Sequence, residues 1–480
     1  MKLSWIKQFL SDELDALKIG LPLYFYILGS VTVSLQAINY FAARMGDGYL
    51  AGLGLGSAVT SASIFMFMLG FSSVFDVYGP QLCGQNKQKD LGKLLVKMLV
   101  QGFVAFKLVL FPYVLLVFCF DKIPLPEGNE HGKAQAIAQD FMYKMTITGY
   151  LDFVIETFIK FLVNQRSVMA SYCIALGQTS STIVFCWFFI IHMGMKTNGL
   201  VLSLILSRLL VIGFCVGVSV WNREDWNMNR LLNRNTLTNW GEMFKCGMAS
   251  GLNLFTNNIA FLVLATISQV GGQITMEVIP LCIRLEALAW TGSVAISYSA
   301  AIMIGNAMGE GDVGKVKYMM GLNLFNCFLE RVCFIAIYIP MRFWYFSLFT
   351  DDPVVLARVL YEANLWLGVM VLQNLKELLG RGVLIVMGKA VYVSAVTTCG
   401  ACLVGVPIMC FMAYATKLES VGLVIGLLAE RVVEVSILAV STFRLDITKE
   451  IQECKERLEK EQESVGTMDI TDTLVDNENT

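Results

Sequence analysis

With 480 residues, 56% of them hydrophobic and only 15% charged, and a mean hydropathy of +0.63, the chain is too apolar for an ordinary soluble domain, in which about half the residues are apolar and about a quarter charged. Its 36 basic and 38 acidic residues nearly cancel, and no basic stripe interleaved with aromatics is present to follow a nucleic-acid backbone, so no nucleic-acid partner is expected. The composition is that of an all-α integral membrane protein.

The chain opens on WIKQFLSDELDAL, an amphipathic stretch read as a cytoplasmic segment over residues 1–15, and the apolar run behind it is too long for the core of a cleavable signal. Windows of roughly 20 apolar residues, the length a helix needs to cross hydrocarbon, place about twelve spans. They lie near residues 16–41, 49–76, 94–120, 137–163, 168–192, 198–221, 242–269, 277–305, 316–341, 353–380, 383–413 and 420–443. The longest outer loop is DKIPLPEGNEHGKAQ. The polar stretch NREDWNMNRLLNRNTLTN, within residues 222–241, separates an N-terminal bundle of six spans (16–221) from a C-terminal bundle (242–443). Residues 444–480 carry EIQECKERLEKEQE and then a polar, acidic end, expected as a solvated helix followed by disorder. With the N-terminus inside, about 17 Lys and Arg fall on the inner side against about 6 outside, so both termini are expected in the cytoplasm.

One apolar helix is written twice. GLVLSLILSRLL, Gly199 to Leu210, returns 223 residues later as GLVIGLLAERVV, Gly422 to Val433, arginine included; DLGK at Asp90 to Lys93 returns as DVGK at Asp312 to Lys315. Six spans separate the copies. An even number brings the chain back to the same side, so the copies run parallel and the two halves are expected to be related by a pseudo-twofold axis along the membrane normal. Two such bundles flanking a cleft form a transporter architecture, with substrate held near the midplane.

Short motifs then carry a resemblance. VFDVYGPQLCGQNK after span two presents Asp76, Gln81 and Gly84; MIGNAMGEGD after span eight presents Gly305, Asn306 and Gly309; ELDALKIGLP before span one presents Glu13 and the helix-opening Pro22. In this order, with GLVIGLLAERVVE and FRLDITKEI at the end, the chain resembles the multidrug and toxic compound extrusion (MATE) transporters, nearest to their eukaryotic branch, over nearly its whole length to about residue 455. The resemblance implies secondary active efflux of amphipathic, often cationic, compounds in exchange for protons or sodium ions, with no other cofactor. Physically, an amide beside glycines at the inner end of a span lets backbones approach closely and caps carbonyls where the chain turns, so these motif residues read as structural.

The same resemblance exposes a departure. Eukaryotic members usually carry two glutamates five residues apart in span seven and one in span ten, and those places fall here on Asn253, Asn258 and Asn374. An amide hydrogen-bonds but does not exchange a proton at physiological pH. Span one offers only Asn39 as a polar group where many prokaryotic members have an acid. The four asparagines are therefore expected to line a polar cavity.

Carboxylates stand elsewhere. Span four has Asp152, Glu156 and Lys160 at i, i+4 and i+8, one stripe on one helix face. Ionisable groups inside a membrane are costly and mark function by default, so Asp152 and Glu156 are expected to carry ion coupling. An internal ion pair of Glu156 with Lys160 is the structural alternative. Glu286, Glu377 and Glu434 are further candidates, and Arg208 with its repeat mate Arg431 reads as bonding to acids or carbonyls between helices. Because neighbours one or two apart on a helix point to different faces, Glu330 with Arg331, and Glu430 and Glu434 around Arg431, are not expected to pair simply by proximity.

Aromatics in the cleft-lining spans, among them Tyr24, Phe65, Phe261, Trp290 and Tyr298, offer ring faces to a cation. The 13 cysteines lie mostly in apolar runs without paired CxxC spacing and read as packing residues, so no metal site is expected. No nucleophile motif or phosphate loop points to an enzyme. Two alternatives to the antiporter stay open. One is a flippase of lipid-linked saccharides, which would gather the mid-span basics Lys107, Lys160, Arg208, Arg284, Arg331, Lys376 and Arg431 in one cavity. The other is a non-transporting relative with a filled cleft. The expected setting is a monomer in the plasma membrane or a vacuolar or endosomal membrane, in contact with lipid and a small-molecule substrate.

Overall fold

The structure, a computed structural model, describes residues 2–29, 40–42, 44–45, 49–120, 129–165, 168–221, 240–267, 273–350, 352–416, 418–457 and 459. Asn39, most of the inter-bundle linker and the end of the tail lie outside the described residues. Helices occupy the expected places of all twelve spans. In the first half these are Lys2–Ile27, the run from Tyr49–Thr60 to Val74–Gly84, Leu91–Phe118, the run from Asn129–Lys144 to Thr148–Asn164, Val168–Cys186 and Lys196–Trp221. In the second they are Gly241–Ile267, Gln273–Glu310, Val313–Ser347, Pro353–Glu377, Ala390–Cys399 continued by Val406–Ala415, and Glu419–Phe443.

Among the described residues, nine of these stretches are long and apolar enough to cross a membrane on length and composition alone. Of the other three, span one is described only in part, and Asp152, Glu156 and Lys160 interrupt span four as Glu430, Arg431 and Glu434 interrupt span twelve. Large apolar side chains face outward, as a lipid solvent allows: Phe103, Leu108, Phe111, Leu115 and Phe118 of span three are all exposed.

The halves touch in a symmetric pattern. Span one packs on span eight, span two packs on span seven, and the inner part of span two packs on span eight. Advancing each partner by six spans turns the first contact into the second and returns the third to itself, as a twofold axis between two six-helix bundles requires. At one end each half has its own core, built around Phe141, Cys186 and Leu200 in the first and Trp366, Val359 and Leu423 in the second. At the other end a single core joins Phe75, Phe161 and Leu162 with Tyr298, Ile304 and Val386. The bundles are therefore closed on each other at the end where spans two, four, eight and ten finish.

Close backbone approach makes that closure possible. A Cβ on Gly84 would overlap the carbonyl of Asn306, and one on Gly309 would overlap the carbonyl of Gln81. Gln81 donates its side-chain amide to the carbonyl of Val386 at 2.8 Å, across the halves. Span nine starts cleanly, with Asp312 as N-cap accepting from the Lys315 amide after Gly311 at φ +80°. The tail helix over residues 447–457 is not the fully solvated segment expected from its charge. Ile447, Ile451 and Cys454, at i, i+4 and i+7, bury one face, and Glu450 meets Lys389 at 3.0 Å.

Candidate functional site in the C-terminal half

Three helices of the second half leave a gap between spans seven, eight and ten. The cavity has a volume of about 130 Å3 and is lined by Asn257, Asn258, Phe261, Glu286, Trp290, Gln373 and Glu377, with Met66 of span two at its edge. Its side chains follow helical spacing: Leu254, Asn257, Asn258 and Phe261 share one face of span seven, as do Ile283, Glu286, Ala287 and Trp290 of span eight. Two carboxylates, two aromatic rings and three amides thus meet in one pocket.

The two carboxylates differ in their commitments. Glu377 accepts from Gln373 at 3.0 Å and from the Trp290 indole at 3.3 Å, and its other oxygen lies 3.9 Å from Arg381. Glu286 is 4% exposed, and its Oε2 is buried without a hydrogen-bond partner. The nearby cations are engaged elsewhere: Arg331 with Glu330 at 3.3 Å, Lys376 with Glu434 at 3.2 Å and Arg431 with Glu434 at 2.6 Å. A buried carboxylate facing a cavity without its own base is the group in this bundle that most needs a proton or a cation.

Behind the cavity lies a fully buried ionic network. Arg431 donates to Glu430 at 3.0 Å and to Glu434 at 2.6 Å on its own helix, and Lys376 bonds to Asn257. The pairing of Arg431 with Glu430 corrects the expectation that adjacent positions diverge, because the long guanidinium stem folds back along its own helix, whereas Glu434, three residues on, shares its face. Arg331 likewise reaches Glu330. The first half solves the same problem differently. There Arg208 donates to Asp152 at 2.7 Å, spans six to four. At the 221-residue offset that sets Glu377 at the place of Glu156, Gln373 stands at the place of Asp152, so Arg431 has no acid across the gap and takes glutamates from span twelve, where the first half has Ser207 and Val211.

The asparagines expected in the cavity separate. Asn258 lines it. Asn374 instead donates to the Cys327 carbonyl and to Glu330, both at 2.9 Å, tying span ten to span nine. Asn253 is buried on the same helix as the lining residues but outside the cavity. Gln373 lines the cavity where Asn374 was expected, and Asn257 joins Asn258 there. The only signal that could have found them is the face shared with Glu286, which single-residue alignment does not resolve.

The stripe on span four also divides. Asp152 turns to Arg208, two turns from Lys160, so Asp152 and Glu156 do not face one pocket. Lys160 lies 2.8 Å from Asp76, 2.9 Å from the Ser72 hydroxyl and 3.7 Å from Glu156. Asp76, expected as a purely structural motif residue, is therefore the main counter-ion of Lys160. Pro22 is buried in span one, and Gly305 packs against Pro80 of span two. A larger groove of 420 Å3 runs between spans one, eight and nine, with Tyr24 and Glu330 on its mostly apolar wall.

Comparison with known proteins places this geometry. The family model described as MatE matches residues 26–188. Over 446 residues the chain is 22% identical to Protein DETOXIFICATION 36 of Arabidopsis thaliana, covering 91% of this chain and 86% of that protein. It is 23% identical over 472 residues to Protein DETOXIFICATION 35 of the same plant, covering 95% and 93%. The crystal structure of the eukaryotic MATE transporter AtDTX14 superposes with a TM-score of 0.85 at 16% identity, over 94% of this chain and 99% of that one. An outward-facing multidrug resistance MATE transporter of the MOP superfamily superposes with a TM-score of 0.73 at 15% identity, over 92% and 96%. The chain is thus similar over most of its length to MATE transporters, and its described helices take the two-bundle fold of those structures.

Proposed function

We propose that the protein is a secondary active antiporter that exports amphipathic organic cations in exchange for protons or sodium ions, its two halves rocking about the shared core. The observation that carries this reading is Glu286, a buried carboxylate without its own base, set beside Phe261 and Trp290 in the cavity of the C-terminal half. A carboxylate with flanking rings fits an organic cation: charge meets charge, and the apolar skeleton rests on π faces. The same carboxylate binds a proton or sodium ion when the cation leaves, so one group serves both ligands in turn. Coupling is assigned to Glu286, with Glu377 beside it. Asp152 and Glu156, the pair expected from sequence, are held against Arg208 and Lys160. At about 130 Å3 the cavity holds an ion or a few waters, so a drug-sized compound enters only when the halves move apart.

The flippase reading needs cations converging on one cavity. Here Arg208, Arg331, Lys160, Lys376 and Arg431 each engage their own acid, and Arg284 lies over the Phe349 ring, leaving the cavity lined by acids and amides. We place the antiporter in a plasma, vacuolar or endosomal membrane with both termini cytoplasmic, in keeping with its charge distribution. The test is binding of ethidium to the purified full chain, read by the rise in ethidium's own fluorescence polarisation. Glu286→Gln should weaken binding by about 10- to 100-fold, the loss of one contact to a charged group worth about 1.5–3 kcal/mol. Equal affinity for wild type and E286Q would remove Glu286 from the site.

A further inference from the structure

The closed end holds a second ionic cluster that the substrate cavity does not use. Tyr298 of span eight is 1% exposed and donates its hydroxyl to Glu156 of span four at 3.0 Å, across the two halves. Its ring is flanked by two cations, with Lys160 Nζ 4.4 Å and Arg381 Cζ 4.9 Å from the centroid. Lys160 belongs to the first half and Arg381 to the second.

The internal repeat explains the arrangement. Lys160 and Arg381 stand 221 residues apart, as do Glu156 and Glu377, and both pairs have i, i+4 spacing. Each cation therefore has an equivalent acid one turn before it in its own half: Glu156 lies 3.7 Å from Lys160, and Glu377 lies 3.9 Å from Arg381. The remaining member breaks the symmetry. Asp76, which binds Lys160, has no acidic counterpart: Ser297 stands 221 residues on, with Tyr298 beside it. A second aspartate there would set four carboxylates against two cations where the halves meet. A phenol instead gives Glu156 a donor and gives both cations an aromatic face, so the contact between halves is attractive without adding a charge.

We propose that Tyr298 is the bolt of this end of the transporter, a positioning residue that holds the halves together through Glu156 and Lys160 and withdraws when they part. The proposal rests on the alternating-access reading above. Withdrawal leaves each half with its own ion pairs: Asp76, Lys160 and Glu156 in one, Arg381 and Glu377 in the other. No cation loses its counter-ion when the contact opens, unlike a salt bridge drawn across the interface, whose rupture would strand two buried charges. The bolt is therefore a strong contact that can be released. Around it, the Gln81 amide on the Val386 carbonyl and the glycine contacts at Gly84 and Gly309 complete the closure.

The test is hydrogen exchange by mass spectrometry on the full chain in detergent, without substrate. Segments 82–93 and 306–315 report the closed end; segments 49–60 and 353–362 report the other end. Tyr298→Phe keeps the ring and loses the hydroxyl, and should raise exchange at the closed end by about tenfold, with no rise at the other end. Tyr298→Leu, which removes the ring as well, should raise it further. Glu156→Gln should give a smaller rise, and the double variant Y298F/E156Q should exceed Y298F little, because the two act through one bond. Wild-type exchange at the closed end in Y298F, or an equal rise at both ends, would overturn the proposal; the second result would mark a plain loss of stability. Should Y298L fail to assemble, Y298F and the double variant still decide. If the closed end responds as expected while no organic cation binds, the bolt stands and the substrate reading falls. If organic cations bind normally while the closed end stays unresponsive, the substrate reading stands and the bolt falls.

Discussion

Arg208 is a buried guanidinium in a bundle surrounded by lipid, and its neighbours show what keeps it there. Asp152 takes its Nε at 2.7 Å, and the Leu204 carbonyl takes Nη1 at 2.9 Å. Removing one partner of a buried pair leaves the other charge unpaired, at a cost of about 3–5 kcal/mol, whereas removing both costs far less. Arg208→Ala should therefore lower the thermal unfolding temperature in detergent sharply, and the double change R208A/D152N should recover most of it. If the double variant were no better than R208A, the pair would not be the unit that stabilises spans four and six. At this scale the sequence was informative about residue type and weak about partners. The cost of intramembrane charge singled out Asp152, Glu156, Lys160, Glu286 and Glu377, but not which of them share a pocket. Pairing depends on the rotation of each helix about its axis, and a shift of one residue turns a side chain by about 100°. That is why Gln373 lines the cavity where Asn374 was expected, and why Asn257 joins Asn258 there.

At the scale of elements, the glycines of the inner motifs decide how near spans two and eight come. Gly84 and Gly309 face each other's helices with no room for a Cβ, and Gly70 meets Gly251 of span seven in the same manner. Gly84→Val should wedge the closed end apart. Cys83, half-buried beside it, reports this directly. Its labelling by a maleimide, followed by peptide mapping, should accelerate about tenfold in the variant, as expected when roughly 1.4 kcal/mol is lost from the closed state. Unchanged labelling would mean that the helices yield without opening. The motifs themselves were legible in the sequence because small residues beside an amide have a physical reason to sit where backbones cross. The wide turns of span ten at Leu378–Ile385, which set the direction of Arg381, were not legible; a π-type widening has no composition of its own. The tail helix was misjudged for a related reason. Its charges dominate its composition, while the three residues that dock it are spread over two turns.

At the scale of the whole molecule, the repeat was the most legible feature. A helix copied with its arginine, an even number of spans between copies and a nearly constant offset implied two parallel bundles, and the contacts of spans one, two, seven and eight show that relation. What the repeat could not show is where the halves have diverged. The first half closes its ionic stripe on Asp76 and Arg208. The second has no acid at the places of Asp76 and Asp152, where Ser297 beside Tyr298 and Gln373 beside Asn374 stand, and carries its carboxylates at Glu286, Glu430 and Glu434. Under the proposed antiport this divergence separates the work: the first half supplies the anchor of the gate and the second supplies the exchange site. Proteoliposomes carrying the full chain, given an imposed proton or sodium gradient and radiolabelled tetraethylammonium, test this most directly. Antiport through Glu286 predicts accumulation driven by one of the two gradients, abolished by the matching ionophore and lost in E286Q. Accumulation no greater than in protein-free liposomes, or equal in wild type and E286Q, would contradict it.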